Sequence, residues 1–425
     1  MKSIAVIGGG ITGVTTAYAL AKRGYSVTLL EKHRYVAMET SFANGGQLSA
    51  SNAEVWTHRS TLLKGIKWML KSDAPLLVNP KPSWHKLSWF AEFIANIPHY
   101  QRNTIETARL AVAAREHLFA WAEAEGVHFD LKREGILHIY RDKAGFDHAG
   151  EVSKLLAAGG LPRRAVTPAE MRAIEPTLAG NYYGGYYTES DSTGDIHLFT
   201  NGLAAAAERL GVKLLFGQQV RSLHSDGSTA LVKLADEAGG LHEHRFDALV
   251  VCAGVASREL AAQLGDRVNI YPVKGYSITV NLLDAPSQRA APTVSLLDDE
   301  TKLVTSRLGV DRFRVAGTAE FNGYNKDIRA DRIKPLVDWV NQCFPGVSTR
   351  QVLPWAGLRP MLPSMLPRVG RGRQANVFYN TGHGHLGWTL SAVTADMIAG
   401  VVAQADGQPI QVAVAPGQPL FPLRA

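Results

Sequence analysis

Three glycines near the amino terminus, Gly8, Gly10 and Gly13, stand at the spacing G-x-G-x-x-G. The first permits a tight turn, the second lets backbone approach a pyrophosphate, and the third lets a helix pack on a strand. Ile11 and Thr12 fall where free N–H groups and the positive end of a helix dipole would meet phosphate oxygens. Glu31, followed by Lys32, closes the next strand, where a carboxylate can accept from ribose hydroxyls. Near the other end of the chain, Thr381 to Gly387 is a glycine loop holding His383 and His385. A histidine there can accept a proton or donate to a bound ring, since its ordinary pKa lies near neutrality, or it can simply pack the loop.

Other reactive types are read more plainly. His383 and His385, like His242 and His244, sit two apart, but without further Cys, Asp or Glu at ligand spacing no metal site is expected. Cys252 reads as a small buried strand residue, since no partner base accompanies it. The run Gly370 to Ala375 satisfies a relaxed glycine spacing, but it follows a Pro-rich segment and leads into a strand, so it is discarded. One dinucleotide motif therefore remains.

The elements that must position these residues start with a βαβ unit. Ser3 to Ile7 is a β-branched run, Val14 to Arg23 has helical spacing stopped by Gly24, and Tyr25 to Leu30 is a second buried strand. From Thr57 to Gly126 the pattern is helical and aromatic, with prolines as breakers. Gly135 to Tyr140 reads as strand, Asp147 to Ala158 as helix, and Pro168 opens a short helix reaching Glu175. Leu198 to Leu210 is helical. Gly211 to Phe216, Val220 to His224, Ala230 to Leu234 and Asp247 to Gly254 are strands, and residues 268 to 320 look antiparallel. Asn376 to Asn380 is a strand, and Trp388 to Ala403 a helix. Past Glu31 the chain leaves for a long excursion and the sheet resumes only near Gly211. A dinucleotide domain split in this way suits FAD better than a nicotinamide.

The chain has 425 residues, formal charge +7, 46% hydrophobic and 20% charged residues, which describes a globular chain able to bury a large core. Two cysteines, Cys252 and Cys343, make no disulfide framework and fit a reducing compartment. The first strand stops at Gly8, too soon for a secretory signal, and no stretch approaches about 18 uninterrupted apolar residues. A cytoplasmic chain is expected. Its basic excess is scattered, which argues against nucleic acid.

With these residues in view the chain resembles the D-amino acid oxidase and glycine oxidase superfamily of FAD-dependent oxidoreductases, most closely the D-amino acid dehydrogenase small-subunit family. The likeness rests on Glu39 to Gln47, Thr193-Gly194-Asp195, His197 to Thr200, Tyr271 to Ser277, Trp355 to Pro360 and Asn380 to Thr389. It implies an α/β (α+β overall) architecture: a Rossmann-like FAD-binding domain with a discontinuous antiparallel-sheet substrate domain. Residues 1–80, 195–266 and 353–425 would form the FAD-binding domain, and 81–194 and 267–352 the substrate domain. It further implies that Ser41, Asn44, Gly45, Gly46, Gln47 and Leu48 line the flavin, with Val220 at the adenine half. Ala253, Gly254, Gly357, Gly384, His385, Leu386, Gly387 and Thr389 complete the cofactor set.

The same resemblance puts Arg359 at the substrate carboxylate and beside the cofactor, since a planar fork suits a carboxylate. Tyr276 and Arg307 are further pocket-wall candidates. The implied reaction moves a hydride from the α-carbon of a D-amino acid to flavin N5, giving an imino acid that water hydrolyses to a 2-oxo acid and ammonia. Electrons would pass to a quinone or other respiratory acceptor, or alternatively to O2. The Lys64 to Lys71 segment and the helix from Trp84 to Ile97 mix aromatics, leucines and lysines as a peripheral anchor on the inner face of the inner membrane would. The chain departs from the family pattern at Asn52-Ala53, at Leu362-Pro363-Ser364-Met365 and at His385. His385 looks like the glyphosate-oxidase-like and secondary-amine branches. The alternatives are therefore an oxidase of glycine or of sarcosine- or opine-like secondary amines, and a flavin-binding protein without amine oxidation.

Overall fold

The computed structural model describes residues 2–58 and 75–408. Its first sheet has six strands in the order Arg368–Arg371, Val377–Thr381, Ala248–Val251, Ser3–Ile7, Ser26–Leu30, Lys213–Leu215. All pair in parallel except the outermost, Arg368–Arg371. Its central strands are apolar on both faces because both are covered, as in doubly wound sheets. On one face lie the helices Ile11–Lys22, Ile196–Arg209 and Gly387–Ala405, closing a core around Val6, Tyr18, Phe199 and Trp388. On the other, the helix Ser257–Gln263 and a meander of Gln219–Ser225, Ala230–Ala235 and Leu241–Phe246 cover Ile7, Val251 and Tyr379. The third strand of that meander escaped the sequence reading because it is an exposed edge with a polar pattern.

Ile11–Lys22 begins three residues earlier than its helical spacing suggested, directly on the glycine turn. Gly387–Ala405 is the one described stretch, extended to Gly384, that is long and apolar enough to cross a membrane, and most of it is buried. It is a core helix packed between Ile11–Lys22 and Tyr100–Glu125.

The second sheet has nine strands. Eight run in the order Val352–Met361, Tyr271–Asn281, Arg312–Phe321, Leu303–Leu308, Ser295–Asp298, Ile136–Tyr140, Gly184–Thr188, Arg164–Val166, and Leu76–Val78 adds to Arg312–Phe321. The purely antiparallel expectation is corrected at two places: Ser295–Asp298 runs parallel to Ile136–Tyr140, and Leu76–Val78 parallel to Arg312–Phe321. Both pairs join strands far apart in sequence, which hairpin logic does not foresee.

The expected division at residues 80 and 353 does not coincide with the sheets. Leu76–Val78 and Val352–Met361 both hydrogen-bond into the second sheet, the latter over ten paired residues from Tyr271↔Met361 to Val280↔Val352. Within 57–126 the described helices are Trp84–Ala95, started by the Ser83 side chain, and Tyr100–Glu125. Leu118 and Ala122 of the latter pack into the first sheet's core, and the helix also packs on Lys143–Ala158, which covers Ile136–Tyr140 and Gly184–Thr188 of the second sheet. The Lys64 to Lys71 segment lies outside the described residues.

Candidate active site

A cavity of about 830 Å³ runs from the glycine turn, between the two sheets, to Arg359 and the loop at His385. At its first end the turn is set by contact distances. A Cβ on Gly13 would stand 1.7 Å from the Gly8 carbonyl oxygen, and one on Gly8, at φ +108°, 2.7 Å from the Cys252 carbonyl oxygen. Only glycine lets Ile11–Lys22 sit this close to its strand. Buried Glu31 braces the turn, accepting from Gly9 N at 2.6 Å and from His33 N at 2.9 Å. Ser41 Oγ accepts from Ile11 N at 3.0 Å, satisfying one orphan donor of the helix start. Val220, Ala253 and Gly254 complete this end.

The middle is formed where residues 41–49 cross between the sheets. Asn44 Oδ1 accepts from Gly46 N at 2.8 Å, folding the backbone so that Ser306 donates to the Gly45 carbonyl at 2.6 Å and Arg314 to the Asn44 carbonyl at 3.0 Å. Gln47 donates to Ser295 Oγ and to the Leu296 carbonyl, so its amide nitrogen ties the loop to the second sheet. Thr389 Oγ1 accepts from Ser49 N at 3.2 Å, holding the start of Gly387–Ala405 against the same loop. That helix opens toward the cavity with no side-chain cap, leaving N–H groups and a positive dipole end facing it.

At the far end Arg359 lies on Val352–Met361 across from Val273 and beside Gly275, where a Cβ would meet its guanidinium at 2.4 Å. Its Nη1 donates to the Thr318 carbonyl at 2.8 Å. No described carboxylate pairs with it, and burial pulls its pKa down to about 10. His385 stacks on Trp56 with ring centroids 5.1 Å apart, and its Nε2 lies 3.2 Å from the Asn52 carbonyl. A carbonyl only accepts, so Nε2 carries the proton and Nδ1 offers a lone pair. Burial chiefly, and Arg359 further, lower its pKa to about 4, while the Asn52 bond opposes them. Asn52 itself is fixed because Ala50 N and Ser51 N both donate at 3.0 Å to the buried Asp191 carboxylate. Tyr276 shows the cavity its ring, while its hydroxyl donates to Glu320 at 2.8 Å, and Lys274 pairs with Glu320 at 3.1 Å.

The remaining sequence-named residues divide cleanly. Gly8, Gly10, Ile11, Thr12, Glu31, Lys32, Ser41, Asn44, Gly45 and Gln47 line the cavity, as do Gly357, Gly384, Leu386, Gly387 and Thr389. Gly13, Gly46 and Leu48 stand behind the wall and shape it. Arg307 is corrected: it does not face the cavity. Val304 does, and strand alternation turns Arg307 the other way, onto the carbonyls of Gln288, Ala291 and Val310. The sequence reading missed Glu54, Trp56, His148 and Lys302, which also line the cavity. No motif marks them, and only the fold brings 52–56, 148 and 302 together. Among the described residues no group of His, Cys, Asp and Glu could hold a metal.

A doubly wound sheet with one dinucleotide cradle, opening into a cavity roofed by a second mixed sheet, defines a two-domain flavoprotein oxidoreductase. The FAD dependent oxidoreductase family profile matches residues 3–401, and the chain belongs to that family. It is 61% identical to D-amino acid dehydrogenase 3 of Mesorhizobium japonicum, over 95% of this chain and 97% of that protein. It is 40% identical to the D-amino acid dehydrogenase of Paramagnetospirillum magneticum, over 93% of this chain and 95% of that one. The fold matches glycine oxidase from Geobacillus kaustophilus with a TM-score of 0.72 at 20% identity, covering 98% of both chains. FAD is the cofactor, and the glycine cradle, the uncapped helix start and the length of the cavity fit it.

Proposed function

We propose that the chain oxidises D-amino acids to 2-oxo acids and ammonia, with Arg359 binding the substrate carboxylate. Both relatives above are named D-amino acid dehydrogenases, and the observation that carries the reading is Arg359, a buried cation without a described carboxylate partner at the end of the cavity. Bound FAD supplies the hydride acceptor. The chain supplies position: Arg359 fixes the carboxylate end, His385 Nδ1 can accept from the amine, and the Trp56 and Tyr276 rings restrict approach. With its pKa lowered to about 4, His385 is too weak a base to hold the ammonium proton, so that proton leaves to solvent before or with binding.

The dehydrogenase names of the relatives support a quinone or other respiratory acceptor in place of O2. The exposed row Trp84, Leu87 and Ile94 on one side of Trp84–Ala95 supports a peripheral contact with the cytoplasmic face of the inner membrane.

Anaerobic addition of D-alanine to the holoenzyme is expected to bleach the flavin, with L-alanine inert. Arg359→Met is expected to keep the flavin and to lose kcat/KM about 10²–10³-fold, the cost of removing one partner of a buried charged pair. Bleaching by sarcosine or glycine alone would overturn the D-amino acid reading, and an unaltered Arg359→Met would overturn the role of the arginine.

A further inference from the structure

We infer that Glu54 makes this site select D-amino acids with a cationic side chain, such as D-lysine, D-ornithine or D-arginine. This rests on the reading that Arg359 takes the α-carboxylate. Glu54 Oε1 is occupied, accepting from Tyr100 Oη at 2.7 Å and lying 3.4 Å from His148 Nε2. Among the described residues nothing donates to Oε2. The Glu54 side chain is 30% exposed, and it lines the cavity. Its carboxylate is held well into the charged range by its two hydrogen-bond partners and Lys302, against the opposing effect of burial.

The other charged groups at this end are Asp299 and Lys302, which pair with each other at 2.5 Å, and Arg163, which lines a small adjoining pocket with Glu54 and Asp299 and donates to Ser153 Oγ and the Ala149 carbonyl. Asp299 is engaged by Lys302, so the carboxylate oxygen at this end left to accept from a ligand is Glu54 Oε2. Asn52 and Trp56, which flank Glu54 in the chain, both meet His385: the Asn52 carbonyl lies 3.2 Å from its Nε2 and the Trp56 ring stacks on it at 5.1 Å. The wall of the one cavity therefore holds a cation, aromatic rings and an anion. A basic amino acid carries the complementary groups, carboxylate, methylene stem and terminal cation, and its ammonium or guanidinium would donate to Oε2.

The test compares D-lysine with D-norleucine, which has the same stem without the amine, by anaerobic flavin reduction in the wild-type holoenzyme and in Glu54→Gln. The wild type is expected to favour D-lysine at least about 10-fold in kcat/KM, the worth of one charge-assisted hydrogen bond of about 1.5–3 kcal/mol. Glu54→Gln is expected to remove most of that preference while the D-norleucine rate serves as the internal reference. Equal rates for the two substrates in the wild type would overturn the inference without any variant. A preference that survives Glu54→Gln would assign it elsewhere in the cavity. If no D-amino acid reduced the flavin, the underlying reading itself would fall, an outcome distinct from an unselective D-amino acid dehydrogenase.

Discussion

His383 and His385 occupy one glycine loop and have neighbouring but separate tasks. Both line the cavity: His383 is buried with its Nε2 3.0 Å from Thr394 Oγ1 and its Nδ1 without a partner among the described residues, while His385 stacks on Trp56. Burial lowers the first to about 3 and, with Arg359, the second to about 4, from an ordinary value near 6.5. Both are neutral in the folded chain at pH 7. Once unfolded they would bind protons below about pH 6.5. The unfolded state then holds more protons than the folded one, so stability rises with pH across that window and declines from about 6.5 toward 4. The melting temperature of the apoprotein is expected to fall on acidification through that range. His383→Asn is expected to flatten the fall, and an unchanged slope would show that other groups set it.

At the scale of elements, the glycine turn separates two jobs that one motif combines. A Cβ on Gly13 would overlap the Gly8 carbonyl at 1.7 Å, whereas a Cβ on Gly10 would find only Ser41 Oγ, at 3.6 Å, and Gly10 has an ordinary extended backbone at φ −74°. Gly13→Ala is therefore expected to force helix from strand, lowering apoprotein stability by at least about 1–3 kcal/mol, the usual cost of overpacking. Gly10→Ala is expected to leave the apoprotein melting temperature in place and to weaken FAD binding, because its methyl group occupies cavity where backbone must approach the pyrophosphate. Thermal melts of apoprotein with FAD titration distinguish the two, and equal destabilisation by both would refute the division. This turn was legible because strand, turn and helix are contiguous in sequence and each carries its own periodicity. Leu76–Val78 and Leu241–Phe246 were not, since one is three residues long and the other is a polar edge. Glu54 and Trp56 were silent because their chemistry arises from crossing the chain past His385 and His148, a tertiary fact. Arg307 shows the converse: its residue type suggested chemistry, and the parity of its strand withdrew it from the cavity.

The whole molecule depends on the two sheets keeping one relative position, since the cavity lies between them. Arg312, on the second sheet, reaches two carboxylates at once, Asp195 and Asp130, each at 2.8 Å. Asp195 is also the residue whose side chain accepts from His197 N and Leu198 N to start Ile196–Arg209, a helix of the first sheet's core. The single guanidinium therefore couples the helix start under one sheet to a strand of the other. Its neighbours keep it firmly cationic, Asp195 foremost, against the effect of burial. Because the cluster is only part-buried, its worth is expected near about 1–3 kcal/mol, between a surface pair and a buried one. Arg312→Ala leaves Asp195 and Asp130 facing each other without their shared cation, so repulsion adds to the lost hydrogen bonds. The variant is expected to melt a few degrees lower and to bind FAD more weakly, since the cofactor is gripped by both sheets. The double variant Arg312→Ala with Asp130→Asn removes the repulsion and is expected to recover part of the melting temperature. A double variant no more stable than the single one would show that Arg312 acts by packing alone and that the sheets are held together elsewhere, as through Tyr100–Glu125, whose Leu118 and Ala122 enter the first sheet's core while the helix rests on Lys143–Ala158.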